Sequence, residues 1–467
     1  MFKRFHLETR TTPLGDETPR FELRRDWDRC IGCGLCAAAC VYGVHGREPA
    51  TLDATRMAAP LHGRCVGCHR CVNECPKDAL ELRPHPEFAG LGDSYYTPDA
   101  IERLLYEAET GRVPVSGAGY RGPFTGPGFD ALWTDMSEIV RPTRDGIHGR
   151  ETIATGVALG RKPDRLEFSR DGSLETRPAP QLWLEVPLLF GPLPFPAPFE
   201  QRLALARAVA PAAAESGSVL ILDEDAAGQV EAPRRALRLS SPATAEPARY
   251  EGFLLVEVPD AADAAAQLEL VRTCAPRAAT SVLLPASAQA AARAVALARA
   301  GAEVLHLAAT PHARCVDDPG RHVLDCLRAV ERALVDAGLR EAVSVIVSGG
   351  IARAEHVPKA LLCGADAVGL SVAYLIALGM RRFNGGLGLW TPAEARLADA
   401  AAARQRLRNL VNAWRDQLLE VMGAMGIRDA RRLQGEEGRA IFYEDLQAEF
   451  LKLFTAPAYK EVDPEYG

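Results

Sequence analysis

Two runs of cysteine between residues 30 and 75 constrain this chain more than any other feature. Each run has the spacing C-x2-C-x2-C-x3-C, and together they hold eight of the twelve cysteines. Three thiolates spaced in this way can hold one face of a [4Fe-4S] cubane, while the fourth cysteine of the run reaches a second cluster. The spacing therefore predicts two [4Fe-4S] clusters. The ligands predicted for the first are Cys30, Cys33, Cys36 and Cys75, and those for the second are Cys65, Cys68, Cys71 and Cys40.

Two other readings of these cysteines stay open. Zinc sites are usually built from two CxxC pairs, which leaves the third and fourth cysteines of each run unexplained. A disulfide framework fits poorly with a long chain that shows no secretion signal. Pro76 closes the second run, whereas Val41 stands at that place after the first run, a difference that affects a turn and no ligand.

The bulk properties exclude several classes of protein. A length of 467 residues with 48% hydrophobic composition indicates two or three globular domains. The net charge is -7 and no basic stretch is concentrated, so nucleic acid is not an expected partner. No signal segment and no apolar run of membrane-spanning length is found, so we expect a cytoplasmic protein without a membrane-spanning segment.

The region before residue 180 is predicted to hold a ferredoxin-like domain, a helix and a long connection. Phe21–Leu23 and Ala79–Leu82 have the composition of the short strands that flank a two-cluster fold. Thr97 is the predicted cap of a helix that ends near Gly111.

The connection, residues 112–150, is rich in Gly and Pro and admits two interpretations. It is an ordered interdomain strap if its aromatic residues pack, and an anion or phosphate site if its basic residues converge. A charge run is more often a solvated face, which favours the strap. The aromatic residues are Tyr120, Phe124, Phe129 and Trp133, and the basic residues are Arg141, Arg144, His148 and Arg150.

From residue 181 onward, short apolar runs alternate with helical stretches. Eight strands alternating with helices predict an α/β fold, a (β/α)8 TIM-like barrel. A doubly wound open sheet is the alternative, which the lack of a Gly-rich turn after the first strand disfavours. The predicted strands are Leu182–Phe190, Val219–Asp223, Ala236–Leu239, Phe253–Val258, Ser281–Pro285, Glu303–Leu307, Ser344–Ser348 and Ala367–Leu370.

A helical extension is predicted after the barrel. Thr391 and Glu394 form a capping box, and a later apolar stripe is typical of a helix packed on a core or a partner. The stripe comprises Leu407, Leu410, Val411, Trp414, Leu418, Val421 and Met422. The predicted domains are a ferredoxin-like domain over 1–85, a helix and strap over 86–180, the barrel over 181–390 and the extension over 391–467.

The turns after the last two predicted strands are candidates for a phosphate site. Barrels commonly bind phosphate at these turns, where backbone N–H groups are free, and glycine lets the chain approach a ligand closely. The alternative is a pair of ordinary tight turns before helices. The candidate residues are Ser348, Gly349 and Gly350 after strand seven, and Gly369, Leu370 and Ser371 after strand eight.

Several other side chains receive weaker predictions. The histidines of the barrel region are expected to pack or cap helices rather than to bind a metal, because their spacing gives no metal triad. These are His306, His312 and His322. The remaining cysteines, Cys274, Cys315, Cys326 and Cys363, are expected to be free thiols, and Glu355 and Lys359 are expected to be solvated.

Three stretches resemble the FMN-binding synthase domain of the glutamate synthase family, in its ferredoxin-fused form. They are SEIVRPTRDGIHGR at 137–150, VIVSGGIARAEHVPKALLCGADAVGL at 345–370 and AWRDQLLEVMGAMGIRDARRL at 413–433. The resemblance implies a barrel that binds FMN and receives electrons through iron-sulfur centres. It also implies reduction of an imine formed from 2-oxoglutarate and ammonia.

The chain departs from the family at three points, and these departures support a second hypothesis. Leu378–Trp390 lacks the cysteines of the family's [3Fe-4S] cluster, so we expect no such cluster. Neither Leu307–Arg314 nor Ser281–Pro285 supplies the family's Gly-rich loop or strand lysine. No amino-terminal cysteine nucleophile is present, so ammonia would come from a separate amidotransferase subunit. We therefore expect an oxidoreductase that works with a redox partner protein or other subunits, and the alternative is a non-catalytic electron-transfer scaffold with a degenerate barrel.

Overall fold

The computed structural model describes residues 5–14, 18–48, 56–114, 124, 126–135, 152–163, 165–176, 179–380 and 399–455. It divides into two compact units. The cysteine unit lies within Pro13–Glu102, and the barrel unit holds most of the remaining chain. The predicted anion-binding residues of 141–150, the cap at Thr391 and nearly all of Leu378–Trp390 lie outside the described residues.

The cysteine unit contains a short two-stranded antiparallel sheet, whose strands are distant in sequence. Its elements are β1 (Phe21–Arg25), α1 (Leu35–Ala39), α2 (Arg70–Asn73), β2 (Leu80–Pro84) and α3 (Pro86–Ala89), and α4 (Pro98–Thr110) follows. β1 pairs with β2, with Leu23 opposite Leu82. The small core consists of Leu23, Cys36, Val44, Met57, Cys71 and Leu80. Both predicted strands are confirmed, as is the helix that ends before Gly111.

The barrel unit contains a closed ring of eight parallel strands, which confirms the predicted fold. Three short strands precede or flank the ring: β3 (Leu132–Thr134), β4 (Val157–Leu159) and β5 (Leu182–Leu184). The ring comprises β6 (Leu188–Phe190), β7 (Leu220–Asp223), β8 (Arg235–Arg238), β9 (Leu255–Pro259), β10 (Ala279–Pro285), β11 (Val304–Ala308), β12 (Ser344–Ser348) and β13 (Ala367–Leu370). β13 pairs with β6 and closes the ring.

Helices follow most of the barrel strands, as a (β/α)8 fold requires. They are α5 (Phe199–Glu215), α6 (Glu224–Ala227), α7 (Ala264–Cys274), α8 (Ala290–Arg299), α9 (Val323–Asp336), α10 (His356–Leu362) and α11 (Val372–Ala377). The chain continues with α12 (Ala400–Ala424), β14 (Ala440–Phe442) and α13 (Tyr443–Thr455). Within the described ranges, none of the helices combines the length and the apolar composition that crossing a bilayer requires.

The first predicted barrel strand, Leu182–Phe190, is corrected to two strands. β5 lies outside the ring and pairs antiparallel with β4, while β6 alone joins the ring. Pro187 separates them, and a tight turn follows in which the Leu188 N–H donates to the Val186 carbonyl at 2.6 Å. Proline lacks the N–H that a continuous strand would need at this position.

The apolar stripe of α12 is buried throughout, as predicted, and packs against α5, α10 and α11. Asp399 caps this helix by accepting from the Ala402 N–H at 3.0 Å. Two other predictions are wrong: Glu355 and Lys359 are 0% and 1% exposed, because the segment before α10 and the helix itself are covered by neighbouring elements. The free-energy cost of burying these charges is offset by ion pairs and hydrogen bonds.

Candidate functional site

The eight cysteines of the two runs line two separate cavities, four in each. Cys30, Cys33, Cys36 and Cys75 surround the first cavity, and Cys40, Cys65, Cys68 and Cys71 surround the second. These sets coincide with the two ligand sets predicted from the sequence. Each run thus sends its fourth cysteine to the cavity of the other run, which is the arrangement that a pair of cubanes uses.

Glycines let the loops wrap these cavities closely. Gly34 has φ +78° just before α1, and a Cβ at that position would lie 2.8 Å from Arg47 Nη2. Gly67 has φ +74°, and its Cβ would lie 2.5 Å from the ring of Phe21. A side chain at either position would strain the backbone and displace a neighbour, so both turns depend on glycine.

The first cavity has a cation against its thiols. Arg25, which is 9% exposed, lies with Nη1 3.4 Å from Cys30 Sγ and 3.8 Å from Cys36 Sγ. Burial raises the pKa of Cys30, but the Gly32 N–H and the Arg25 guanidinium outweigh it, and the net shift is downward. A lowered pKa favours the thiolate form, which is the form that binds metal.

The second cavity has a different electrostatic environment. Burial, together with the neighbouring thiols Cys65 and Cys40, raises the pKa of Cys71 to about 11. The pKa of Cys65 is also raised, mainly by burial. A raised pKa disfavours the thiolate, so the second set needs the positive charge of a bound metal to become deprotonated.

The donor set fits iron-sulfur clusters. Cluster binding requires four thiols around one site, and each cavity is lined by four. Among the described residues, no group of three or more His, Cys, Asp or Glu side chains has the geometry that a single metal ion requires.

The predicted phosphate turns lie side by side at the carboxyl ends of β12 and β13. Ser348 pairs with Gly369 in the strand register. Of the six candidate residues, Ser348 and Ser371 are partly exposed, and the other four are buried. The Leu370 carbonyl accepts a hydrogen bond from the Gly191 N–H at 2.7 Å, which ties the turn to the end of β6.

The glycines of these turns contact the chain itself. A Cβ on Gly349, with φ +98°, would lie 2.6 Å from the carbonyl oxygen of Thr310, and one on Gly350 would lie 2.2 Å from the Cβ of Ala313. The loop after β11 thus fills the space that the missing side chains leave. A phosphate at this end of the barrel would be held through the hydroxyls of Ser348 and Ser371 rather than in a glycine cradle.

A line of polar side chains crosses the barrel interior toward the same end. Arg238 Nε donates to Glu257 Oε1 at 2.5 Å, and Glu257 Oε2 lies 2.6 Å from His306 Nδ1. His306 Nε2 lies 2.8 Å from Ser348 Oγ. Burial raises the pKa of Glu257, but Arg238 and His306 together outweigh it and lower the pKa to about 2. The buried carboxylate is therefore charged and doubly paired at neutral pH.

Sequence reasoning missed Arg238 and Glu257 and underrated His306. A signal was present, because Glu257 interrupts the apolar run LLVEV and His306 interrupts VLHLA. An ionisable residue inside a strand that is otherwise apolar is rarely buried without a partner. The partners themselves lie on other strands and could not be read from local sequence.

Other weaker predictions have mixed outcomes. His322 caps α9 by accepting from the Leu324 N–H at 3.0 Å, as predicted. Cys274 and Cys363 are free thiols, as predicted. Cys315 and Cys326 are joined by a disulfide, which contradicts the expectation of free thiols. The loop after β11 turns back on itself between the two cysteines and brings them together.

Two family descriptions match this chain. Residues 241–428 match "Conserved region in glutamate synthase" and residues 24–82 match "4Fe-4S dicluster domain". The chain is 28% identical to "Archaeal glutamate synthase [NADPH]" of Archaeoglobus fulgidus, over 93% of this chain and 96% of the relative. It is also 28% identical to "Archaeal-type glutamate synthase [NADPH]" of Thermotoga maritima, over 89% of this chain and 93% of the relative.

Solved structures show a weaker similarity. A mandelate oxidase bearing an FMN adduct covers 62% of this chain at 18% identity and a TM-score of 0.38, with 89% of that protein matched. An (S)-mandelate dehydrogenase from Pseudomonas putida covers 73% at 16% identity and a TM-score of 0.41, with 99% of that protein matched. Residues 24–82 thus match a 4Fe-4S dicluster domain and residues 241–428 match a conserved region of glutamate synthase, and the chain is similar over most of its length to proteins named as archaeal or archaeal-type glutamate synthases.

Proposed function

We propose that this chain is an iron-sulfur flavoprotein oxidoreductase that reduces the imine of 2-oxoglutarate and ammonia to glutamate. The observation that carries the proposal is the presence, in one chain, of two four-thiol cavities and a barrel whose strands β9 to β13 lie in the matched glutamate synthase region. The relatives named as glutamate synthases match over nearly their whole length, which supports the same activity.

The proposed cofactors are two [4Fe-4S] clusters and FMN. The cluster ligands are the two cysteine sets given above, and a [3Fe-4S] cluster is excluded from the proposal because Leu378–Trp390 contains no cysteine. FMN, when bound, accepts electrons singly and supplies them to carbon as a hydride. Ser348 and Ser371 would contact its phosphate, and the buried turn residues Gly349, Gly350, Gly369 and Leu370 would shape the site.

The chain's own residues at the barrel end have defined tasks in this proposal. Arg238 keeps Glu257 ionised, and Glu257 fixes the orientation of the His306 ring by accepting from Nδ1. The buried walls of β9, β11 and β12 exclude water from this line of side chains. A dry, preorganised polar site stabilises developing charge more strongly than water does.

Two kinds of partner follow from the proposal. Electrons must reach the clusters from a redox protein or another subunit. Ammonia would be free or come from a separate amidotransferase subunit.

A second function is favoured by one observation. The loop after β11 fills the space beside Gly349 and Gly350, which a phosphate cradle would otherwise offer. On this alternative, the barrel has no flavin and serves as a scaffold, and the clusters transfer electrons between partners.

Glutamate formation tests the proposal directly. Anaerobic protein reduced by dithionite would be mixed with 2-oxoglutarate and ¹⁵N-ammonium, and ¹⁵N-glutamate would be measured by mass spectrometry. The proposal predicts stoichiometric glutamate formation accompanied by reoxidation of the protein. Cluster reduction without glutamate formation in protein that contains FMN would contradict the proposed activity, whereas cluster reduction in protein that contains no flavin would favour the scaffold.

A further inference from the structure

The second four-thiol cavity has exposed apolar side chains around it. Tyr42 and Val66 line the cavity and are 48% and 51% exposed, and Val41, which follows Cys40 in the chain, is 78% exposed. Cys68 of the same thiol set is also exposed. Exposed apolar side chains that lie together mark interaction surfaces on globular proteins. A protein that contacts this surface would come close to the thiols of the second cavity.

The same surface carries positive charge. Residues 39–44 and 61–72, which hold the thiols of the second cavity, contain Arg64 and Arg70 and no carboxylate. Both arginines are exposed, and neither forms an ion pair in the part of the chain that the structure describes. We call this surface the basic rim. It consists of Val41, Tyr42, Val66, Arg64 and Arg70.

The first cavity also has exposed apolar neighbours, Ile31 and Leu35, so charge is what distinguishes the two cavities. The equivalent residues around the first cavity, 26–37 and 74–79, contain four carboxylates and two cations, a net charge of -2 against +2 around the second. Arg25 contacts the first thiol set but is buried and adds no exposed charge. The exposed ions of the first cavity are Asp26, Asp28, Glu74, Asp78, Arg29 and Lys77.

This difference in charge selects both the partner and the cavity at which it docks. Opposite charges on two proteins speed their encounter, whereas like charges slow it. A redox protein with carboxylates around an apolar patch would be attracted to the basic rim and repelled from the carboxylates beside the first cavity. Complexes between redox proteins bury little surface, so a rim of a few exposed side chains is sufficient for one.

We propose that an acidic one-electron carrier protein docks on the basic rim and delivers its electron to the cluster of the second cavity. This inference rests on the proposed function, which assigns a [4Fe-4S] cluster to these thiols. In each encounter the reduced carrier loses one electron and the cluster gains one, and no bond forms or breaks. Two encounters supply the pair of electrons that the reduction of one imine consumes.

Stopped-flow spectroscopy tests the docking site with a probe protein, the hydroquinone form of an acidic flavodoxin. The full chain, anaerobic and with its clusters bound, would be mixed with the probe at an ionic strength of about 0.1 M, and cluster reduction would be followed. Arg64→Glu combined with Arg70→Glu should lower the second-order rate constant by about 10- to 100-fold. At about 1 M salt the wild type should be slower and most of this difference should vanish, because salt screens exposed charges.

Arg29→Glu combined with Lys77→Glu is the matched control, because it reverses two exposed charges beside the first cavity. Charges are screened over about 10 Å at 0.1 M ionic strength, so this control should change the rate constant by less than about threefold. The neutral pair Arg64→Gln with Arg70→Gln should give a rate constant between those of wild type and the glutamate variant. Iron content and the electrons taken up from dithionite should match wild type in every variant.

Binding provides a readout that is independent of electron transfer. The dissociation constant of oxidised flavodoxin, measured by isothermal titration calorimetry, should rise in the arginine variants and stay the same in the control. Equal slowing of the control and the arginine variant overturns the docking site, as does a wild type that the probe does not reduce.

The proposed function is tested separately. Glutamate formation driven by dithionite needs no carrier protein, so its absence in protein that carries its cofactors overturns the proposed function alone. Slowing that is confined to the arginine variants, in protein that forms no glutamate, would still support the docking site.

Discussion

Arg25 distinguishes the two thiol sets at the level of a single side chain. Its guanidinium contacts Cys30 and Cys36, both of the first set, and also lies 3.1 Å from His45 Nδ1. A cluster becomes more negative when it is reduced, so a fixed cation beside its ligands favours the reduced form.

Arg25→Gln should therefore lower the reduction potential of one cluster and leave the other unchanged. We expect a change of about tenfold in its reduction equilibrium, which for one electron is about 59 mV. Potentiometric titration followed by electron paramagnetic resonance measures both clusters. Arg24→Gln is the matched control, because Arg24 is exposed and pairs with Glu22. A shift of both clusters by equal amounts would count against a local effect of Arg25.

Because Lys359 is buried, we expect the unfolding free energy of the protein to depend on pH. Burial lowers its pKa to about 8, although Glu355 and Asp130 oppose the shift. The unfolded chain therefore binds more protons than the folded chain between the folded pKa and the ordinary value of 10.5. Stability contributed by this site should rise with pH across that window.

The comparison variant is Lys359→Met. Wild type should gain about 2 kcal/mol of unfolding free energy relative to Lys359→Met between about pH 8 and about pH 9.5. Urea unfolding followed by circular dichroism at each pH measures the difference. Lys452→Met, at an exposed lysine, should show no such trend. Parallel curves for wild type and Lys359→Met would show that burial does not shift this lysine.

At the scale of elements, a buried ion cluster joins α4, α12 and the start of α10. Arg103 donates two hydrogen bonds to Glu355, at 2.8 and 2.6 Å, and one to Glu107 at 2.9 Å. Trp414 Nε1 donates to Glu107 at 2.8 Å. Burial raises the pKa of Glu107 to about 6, so this carboxylate depends on its partners.

Arg103→Met should destabilise the barrel unit by about 3–5 kcal/mol, because two buried carboxylates lose their cation. Urea unfolding compared with wild type measures the loss. Arg332→Met provides the control, since Arg332 is 63% exposed and its ion pair with Glu437 should contribute about 0–1 kcal/mol. Equal losses in the two variants would mean that the buried cluster adds nothing specific.

Strand positions were predictable wherever an apolar run ended at a turn residue. Seven of the eight predicted strands correspond to single strands of the ring. The first, Leu182–Phe190, is divided at Pro187 into one strand outside the ring and one strand within it. The burial of Glu355 and Lys359 was not predictable from helical period. It depends on Arg103 and Phe129, which are more than 200 residues away in the chain.

For the whole molecule, the cysteine spacing alone predicted which four cysteines line each cavity, because the ligand spacing of a two-cluster fold is local in sequence and fixed. The polar line of the barrel was beyond such reasoning. Glu257, His306 and Ser348 come together only when three strands take a specific register in a closed ring. Side-chain contacts that form only when the ring closes are indicated in the sequence only by single polar residues within apolar runs.

The central claim is that the chain carries two clusters and a flavin. Iron, acid-labile sulfide and flavin would be measured on anaerobically purified full-length protein, with mass spectrometry to identify the flavin. The account predicts about eight irons, about eight sulfides and about one FMN for each chain. Eight irons without flavin would contradict the flavoprotein and leave the electron-transfer scaffold, and bound zinc in place of iron would contradict the cluster assignment itself.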